Sequence, residues 1–325
     1  MKRSRIYVTK AIPENGLELL RRSFGRIDLN PTQKTLPRKE LLAAVRGREG
    51  ILSCLTDSID EEVLRAAGPG LRAVSNYAVG TDNIDVAAAT ERGVAVTNTP
   101  GVLTLATAEM AWSLLLAAAR RVAEGDRITR SGKFAGWGPT LYLGRAVTGK
   151  TLGVIGAGRI GTAFARLSKG FRMEVLYRAR RPNRALEREL GARRTSLPEI
   201  LKRSDFLSLH VDLNPSTRGM IGRKEFSLMK PSAVLVNTSR GPVIDEKELV
   251  RALKSRKIFA AGLDVYEREP RLAPGLASLD NAVLAPHAGS ATTEARAAMA
   301  ELAAENLILA LSGRRPKTCV NPEVL

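Results

Sequence analysis

Two histidines, His210 and His287, are the only imidazoles in a chain of 325 residues. Imidazole is the side chain that exchanges a proton most readily near neutral pH. His210 sits inside the apolar run Phe206 to Val211, a setting that suits a packed structural residue. His287 stands between Leu284-Ala285-Pro286 and Ala288-Gly289-Ser290, where a strand meets a loop of small residues. Catalytic groups of open α/β sheets collect at such strand ends. Two further strand ends carry charge among small residues: Asn237-Thr238-Ser239-Arg240-Gly241, and Asp264-Val265-Tyr266-Glu267-Arg268-Glu269-Pro270. A guanidinium fork can clamp a carboxylate. A glutamate paired to imidazole favours the protonated ring, so that the ring can act as an acid. Glu267 and Glu269 both qualify.

A third element is Gly156-Ala157-Gly158-Arg159-Ile160-Gly161, which follows the strand pattern Thr151 to Ile155 and opens a helix. In that context Gly156 permits a tight turn, Gly158 lets backbone approach a pyrophosphate, and Gly161 allows close helix–strand packing. The helix start offers N–H groups and a positive dipole end to phosphates. An NAD-selective site would carry an acid at the end of the next strand. Here that strand runs out into Tyr177-Arg178-Ala179-Arg180-Arg181, and Glu174 lies too early. Guanidiniums there suit a 2′-phosphate, so NADP(H) is preferred and NAD(H) stays possible. Arginine, glutamate and imidazole after a dinucleotide fingerprint compose a site for reducing a 2-oxo acid.

The elements that must position these groups alternate. Strand patterns at Ile6 to Thr9, Ile51 to Leu55, Ala73 to Asn76 and Val94 to Thr97 are interleaved with helical patterns. Those helices are Glu14 to Arg22, Lys39 to Arg46, Asp60 to Ala67 and Ile84 to Glu91. After Asn98-Thr99-Pro100-Gly101 comes one long helix, about Leu103 to Val122, then a Gly-, Trp- and Pro-containing loop from Ser131 to Gly149. A second series follows, with strands at Thr151 to Ile155, Glu174 to Tyr177, Phe206 to Val211, Ala233 to Asn237, Ala260 to Asp264 and Ala282 to Leu284. It includes a helix over Arg159 to Lys169 and a capping box at Ser196-Leu197-Pro198-Glu199. The last helix is Thr292 to Leu311. Alternating strand and helix implies parallel sheets covered on both faces.

Composition bounds the alternatives. Charged residues at 26% and hydrophobic residues at 44% fit a folded globular protein. Cys54 and Cys319 form no disulfide framework and suit a reducing, cytoplasmic compartment. The basic start, Met1 to Arg5, is followed by no apolar stretch of signal-peptide length, and Met110 to Ala119 is too short to span a bilayer. The formal charge is +18. It attracts anions generally, yet no basic tail or basic–aromatic block is present, which speaks against nucleic acid as the partner. No Cys–His spacing supports a metal site.

The stretches "NTPGVLTLATAEMAWSLLLAAARR" from Asn98, "GKTLGVIGAGRIG" from Gly149, "LVNTSRGPVIDEKELVRAL" from Leu235, "AGLDVYEREP" from Ala261 and "LAPHAGSAT" from Leu284 resemble the D-2-hydroxyacid dehydrogenases. "YAVGTDNID" from Tyr77, "SGKFAGWGPTLYLG" from Ser131 and the arginine-rich strand end are most similar to the glyoxylate/hydroxypyruvate reductases within that family. The resemblance runs over essentially the whole chain. It departs at Leu105, Thr81 and Asp212, where relatives usually carry a polar, an aromatic and a proline residue.

The resemblance implies Arg240 as carboxylate clamp, His287 as proton donor and Glu269, which directly precedes proline, as its orienting acid. It adds Val79, Gly80 and Ser290 to substrate binding. Gly156, Gly158, Arg159, Ile160, Gly161, Arg178, Arg180, Arg181, Asp212, Thr238, Asp264 and Gly289 would line the cofactor. It implies two doubly wound α/β domains with a cleft between them: a substrate domain of residues 1–98 with 290–325, and a cofactor domain of 99–289. The loop around Trp137 would border an active site within a homodimer. The expected substrate is a small anionic 2-oxo acid such as glyoxylate or hydroxypyruvate. The alternatives are a non-catalytic nucleotide-sensing regulator on the same fold, and a relative acting on phosphite or 2-ketogluconate.

Overall fold

The computed structural model describes residues 5–325. The reading of the basic amino terminus therefore lies, over residues 1–4, outside the described residues. Two compact units divide the chain. One runs to Leu103 and resumes over Ala291–Leu325, and the other spans Thr104–Ser290.

Among the described residues the first unit holds five strands, β1 (Ile6–Val8), β2 (Asp28–Leu29), β3 (Gly50–Cys54), β4 (Ala73–Tyr77) and β5 (Ala95–Thr97). They form one parallel sheet in the order β2-β1-β3-β4-β5. β1, β4 and β5 are buried throughout, as strands of a parallel sheet covered on both faces should be, and β4 buries Ser75 and Asn76 along with its apolar residues. Helix starts follow capping chemistry. The Asp60 carboxylate accepts from the Val63 N–H, that of Asp85 from Ala88, and the Thr292 hydroxyl from Ala295. The helix Thr293–Leu311 returns to this unit and lies against β4, where the Ser75 hydroxyl donates to the Ala303 carbonyl at 2.8 Å.

The second unit holds β6 (Thr151–Ile155), β7 (Glu174–Arg178), β8 (Arg193–Arg194), β9 (Phe206–Leu209), β10 (Val234–Asn237), β11 (Ala260–Leu263) and β12 (Ala282–Leu284). Its order is β12-β11-β10-β9-β6-β7-β8, all parallel. Strand order reverses at β6, which pairs with β7 on one side and β9 on the other, and the loop leaving β6 is the glycine turn. This switch point is where open α/β sheets bind ligands. Trp112 closes the layer above the sheet: its ring stacks on Phe164 and Phe171, and its indole N–H donates to the Phe164 carbonyl at 2.9 Å.

The expected single helix from Leu103 to Val122 is two helices, Thr104–Ala119 and Val122–Arg130. Arg121 interrupts them in the left-handed region, at φ 56°, and its guanidinium makes a two-pronged ion pair with Glu124, at 2.7 and 2.6 Å. The helix at Arg159 gives way at Leu167 to a 3-10 turn over Ser168–Phe171. At Ser196 only half of the capping box forms. The hydroxyl accepts from the Glu199 N–H, while the Glu199 carboxylate turns to Arg203. No helix among the described residues is long and apolar enough to cross a membrane.

Candidate active site

The glycine turn meets a steric requirement at two of its three glycines. Gly156 has φ 96°, and a Cβ there would lie 2.2 Å from the His210 carbonyl oxygen. A Cβ on Gly161 would lie 1.9 Å from the Gly156 carbonyl oxygen, so this glycine lets the helix Arg159–Leu167 start against its own strand. Gly158 differs: nothing lies within 4 Å of where its Cβ would be. Its space is open, which is what a phosphate approaching backbone needs. Arg159 and Ile160 form the first turn of that helix.

Arg178, Arg180 and Arg181 are exposed around the end of β7, and none of the three takes part in an ion pair among the described residues. Their loop is tied to the glycine turn by Asn183, a residue the sequence reasoning missed. The Asn183 amide donates to the Ala157 carbonyl at 3.1 Å and the Thr162 hydroxyl at 2.8 Å. Its backbone N–H donates to the buried Tyr177 hydroxyl at 2.8 Å, which in turn donates to Glu187 at 2.7 Å. An asparagine two residues past the last loop arginine, at the start of a helix, was the available signal.

The ends of β10, β11 and β12 bring the catalytic candidates together. After β10, Asn237 organises the turn by accepting from the Ser239 N–H and hydroxyl and donating to the Arg240 carbonyl. Thr238 is buried there and its hydroxyl has no hydrogen-bond partner. After β11, the Tyr266 N–H donates to Glu269 Oε1 at 3.0 Å. The other Glu269 oxygen lies 2.7 Å from His287 Nδ1. Burial opposes ionisation of Glu269. The hydrogen bond and charge of His287, the Tyr266 N–H and the Arg240 guanidinium outweigh it and hold the carboxyl below its ordinary range. An ionised carboxylate only accepts, so the Nδ1 position carries a proton directed at Glu269 and leaves Nε2 for chemistry. Glu267 faces elsewhere, accepting from the Glu246 N–H at 3.4 Å. The structure thus separates the two glutamates and joins Glu269 to the histidine.

His287 itself is held in the left-handed region, at φ 54°. Asp264 accounts for it. Its carbonyl accepts from the His287 N–H at 2.9 Å, and its carboxylate oxygens accept from Ala288 and Gly289, each at 2.7 Å. Three bonds from one residue shape the turn that presents the imidazole, a local strain sustained by its surroundings. Desolvation pushes the Asp264 carboxyl up, against the pull of those N–H groups. Ser290, half-buried, follows on the same turn.

His210 is a packing residue. Its ring lies 4.9 Å from that of Phe164, Nε2 is 2.9 Å from the Ser208 hydroxyl, and desolvation pushes its pKa down to about 3. A ring that stays neutral at pH 7 is no proton donor to a substrate. Asp212 is exposed on the loop after β9. In the first unit, Val79 and Gly80 lie half-buried on the loop leaving β4. A cavity of about 410 Å³ opens at the opposite, amino-terminal end of the second sheet, lined by Arg121, Arg145, Arg256 and Phe259, and holds none of these groups.

The residues present fit a dinucleotide. Gly158 leaves a cradle that a side chain would fill, the Thr238 hydroxyl is buried and unsatisfied, and three unpaired guanidiniums stand at the neighbouring strand end. Among the described residues no group of three or more His, Cys, Asp or Glu could hold a metal ion.

Comparison with known proteins identifies the family. Residues 112–289 match the family described as D-isomer specific 2-hydroxyacid dehydrogenase, NAD binding domain. A glyoxylate reductase of Thermococcus kodakarensis is 50% identical over 327 residues, covering 99% of this chain and 98% of its own. The crystal structure of a glyoxylate reductase from Paecilomyes thermophila superposes with a TM-score of 0.88 at 35% identity, over 99% of this chain and 100% of that one. An NADPH-dependent glyoxylate/hydroxypyruvate reductase of Sinorhizobium meliloti, solved with NADP and malonate, gives a TM-score of 0.85 at 32% identity, over 99% and 98%. With its two parallel sheets, its glycine turn and its histidine–glutamate pair, the chain belongs to the D-isomer specific 2-hydroxyacid dehydrogenase family.

Proposed function

We propose that this protein reduces a small 2-oxo acid, glyoxylate or hydroxypyruvate, to the 2-hydroxy acid, with NADP(H) preferred over NAD(H). The observation that carries the reading is the contact of 2.7 Å between His287 and Glu269, with the Arg240 charge acting on the same carboxylate. In this reading Gly156 to Gly161 hold the pyrophosphate, and Arg178, Arg180 and Arg181 the 2′-phosphate. A nicotinamide dinucleotide held by these residues would supply a hydride to the carbonyl carbon.

The chain's own residues do the rest. The second unit offers Arg240, whose guanidinium binds the substrate carboxylate in a fixed orientation, and the first offers the Val79–Gly80 backbone to the same group. Protonated His287 gives its Nε2 proton to the carbonyl oxygen as that oxygen gains charge. Glu269 keeps the ring in the tautomer and pose that make this possible, and Asp264 keeps the turn beneath it. In the reverse direction neutral His287 takes the proton back. Thr238 and Gly289 line the cofactor end of the site in this assignment, with Ser290 on the substrate side and Asp212 at the cofactor's far end.

Homodimer formation belongs to the same reading. The segment between the Val122–Arg130 helix and β6 exposes Phe134, Leu141, Leu143 and Trp137, the last at 87%, an apolar strip that a second copy would cover. Two free, half-buried cysteines fit a reducing cytoplasm. The deciding experiment is oxidation of NADPH and NADH, side by side, against a panel of 2-oxo acids. Turnover of glyoxylate or hydroxypyruvate, with NADPH the better cofactor, is the expected result. Absence of turnover on every 2-oxo acid overturns the reading, and equal use of both cofactors overturns the role of the three arginines.

A further inference from the structure

We infer that Asn76 and Asn98 are positioning residues for the substrate carboxylate, because their amides pin the backbone of the loop that carries Val79 and Gly80. The inference rests on the proposed reduction of a 2-oxo acid and adds to it the residues that aim the first unit's donors.

Three consecutive carbonyls of this loop are engaged. Ala78 accepts from the Thr99 N–H at 2.8 Å, Val79 from the Asn98 side-chain amide at 2.7 Å, and Gly80 from the Asn76 side-chain amide at 2.9 Å. In a trans peptide the C=O and the N–H that share a plane point in opposite directions. The N–H groups belonging to those three peptides are those of Val79, Gly80 and Thr81. None of them donates to an acceptor among the described residues. Pinning each carbonyl therefore turns its paired N–H away from the pin and leaves it unclaimed. Successive N–H groups left without a protein acceptor are donors that an anion can engage without any charged side chain.

Asn76 is built to hold its pose. It is fully buried, its carbonyl oxygen accepts from the Ser53 hydroxyl at 3.2 Å, and its amide also donates to Asn83 at 2.9 Å. Asn83 reaches the Cys54 and Asp57 carbonyls at 3.2 and 3.0 Å, so the loops leaving β3 and β4 are locked to each other. Asn98 is anchored through its own backbone, whose carbonyl accepts from Thr318 and Asn306. Amides that donate to carbonyls shape the loop without adding charge. A carboxylate docked on the loop is then recognised by backbone alone, and the contribution is the same for bound substrate and for the transition state. Such uniform binding sets KM and leaves kcat alone.

The test is Asn98→Ala, whose lost side chain made a single hydrogen bond to the loop, with Asn76→Ala as the second variant. Each is assayed for glyoxylate reduction at saturating NADPH, for inhibition by oxamate (a non-reducible 2-oxo acid mimic), for NADPH binding by fluorescence and for Tm. The expected result for Asn98→Ala is a rise of about tenfold in both KM for glyoxylate and the oxamate inhibition constant, the size of one weakened hydrogen bond to a charged group. The kcat stays within about twofold and NADPH affinity is unchanged. Should Asn76→Ala fail to fold, Asn98→Ala carries the test alone. Unchanged KM in a folded Asn98→Ala protein, or a fall confined to kcat, overturns the inference while the wild-type turnover leaves the reading standing. A wild-type protein without turnover on any 2-oxo acid overturns the reading and this inference with it.

Discussion

Under the proposed function, the loop after β4 in the first unit and the turns after β10 to β12 in the second would meet an anionic substrate in opposite ways. In the second unit the working groups are side chains with charge: a guanidinium, an imidazole and the carboxylate 2.7 Å from it. In the first they are peptide N–H groups, kept unclaimed by neutral amides at 2.7 and 2.9 Å behind them. Charged partners can change protonation during a reaction, and backbone donors cannot. In the proposed reaction the second unit therefore carries the proton step, and the first contributes recognition that is indifferent to pH. If this division is right, damage to the second unit falls on kcat and damage to the first on KM.

The hardest blow to that division is His287→Ala. Loss of a general acid lowers kcat by about 10² to 10⁴, with NADPH affinity close to wild type and Tm lowered, since Glu269 keeps the Tyr266 N–H and the Arg240 charge but loses the imidazole that most favours its ionised form. Near-normal glyoxylate reduction by this variant would remove the proton step from the second unit.

Glu269→Gln is the milder and more informative change. Kcat should fall by about tenfold or more, less than for His287→Ala, because the imidazole remains but loses its ionic support. The variant also has a pH signature. Glu269 titrates below its ordinary value in the folded protein, so its ionised form is favoured by folding. The stability it contributes is complete above the unfolded carboxylate pKa of about 4.3 and is lost as pH falls through the depressed folded value. Thermal unfolding of wild type and Glu269→Gln should therefore differ most at neutral pH and converge on acidification below about pH 4. Parallel curves down to pH 3 would mean the pair contributes nothing through ionisation.

The same division explains what could be read from the chain. His287, Glu269 and Arg240 were legible because their chemistry resides in side-chain type, and the glycine turn because its spacing encodes backbone requirements that Gly156 and Gly161 meet. Apolar strands such as β6, β9, β10 and β11 announced themselves by composition. Asn76, Asn98 and Asn183 gave no such signal. An asparagine that donates to a loop carbonyl looks like any turn asparagine until the fold closes the distance. The two-residue strands β2 and β8 are too short to show alternation, and each pairs at the edge of its sheet. The break at Arg121 was hidden for a related reason: a non-glycine residue at φ 56° depends on its ion pair with Glu124 and the packing beneath it. The helices Arg184–Leu190, Arg223–Leu228 and Glu246–Lys254, which cover the second sheet, were also not anticipated.

The smallest expected effect gives the finest comparison, because among the described residues each unit contains one buried hydroxyl without a partner: Thr99 in the first and Thr238 in the second. An unsatisfied buried hydroxyl destabilises a fold, so replacing it by a methyl group of similar shape should hold Tm or raise stability by about 1 kcal/mol. Thr238 follows β10, among the groups assigned to the cofactor, whereas the Thr99 N–H is bonded to Ala78 at the edge of the carboxylate loop. If each hydroxyl is reserved for what its unit binds, Thr238→Val weakens NADPH binding a few-fold and leaves the oxamate inhibition constant alone. Thr99→Val does the reverse. A fall in Tm in either variant would show that the hydroxyl already has a partner within the fold. Identical binding losses in both would show that the two units do not divide recognition as their donors suggest.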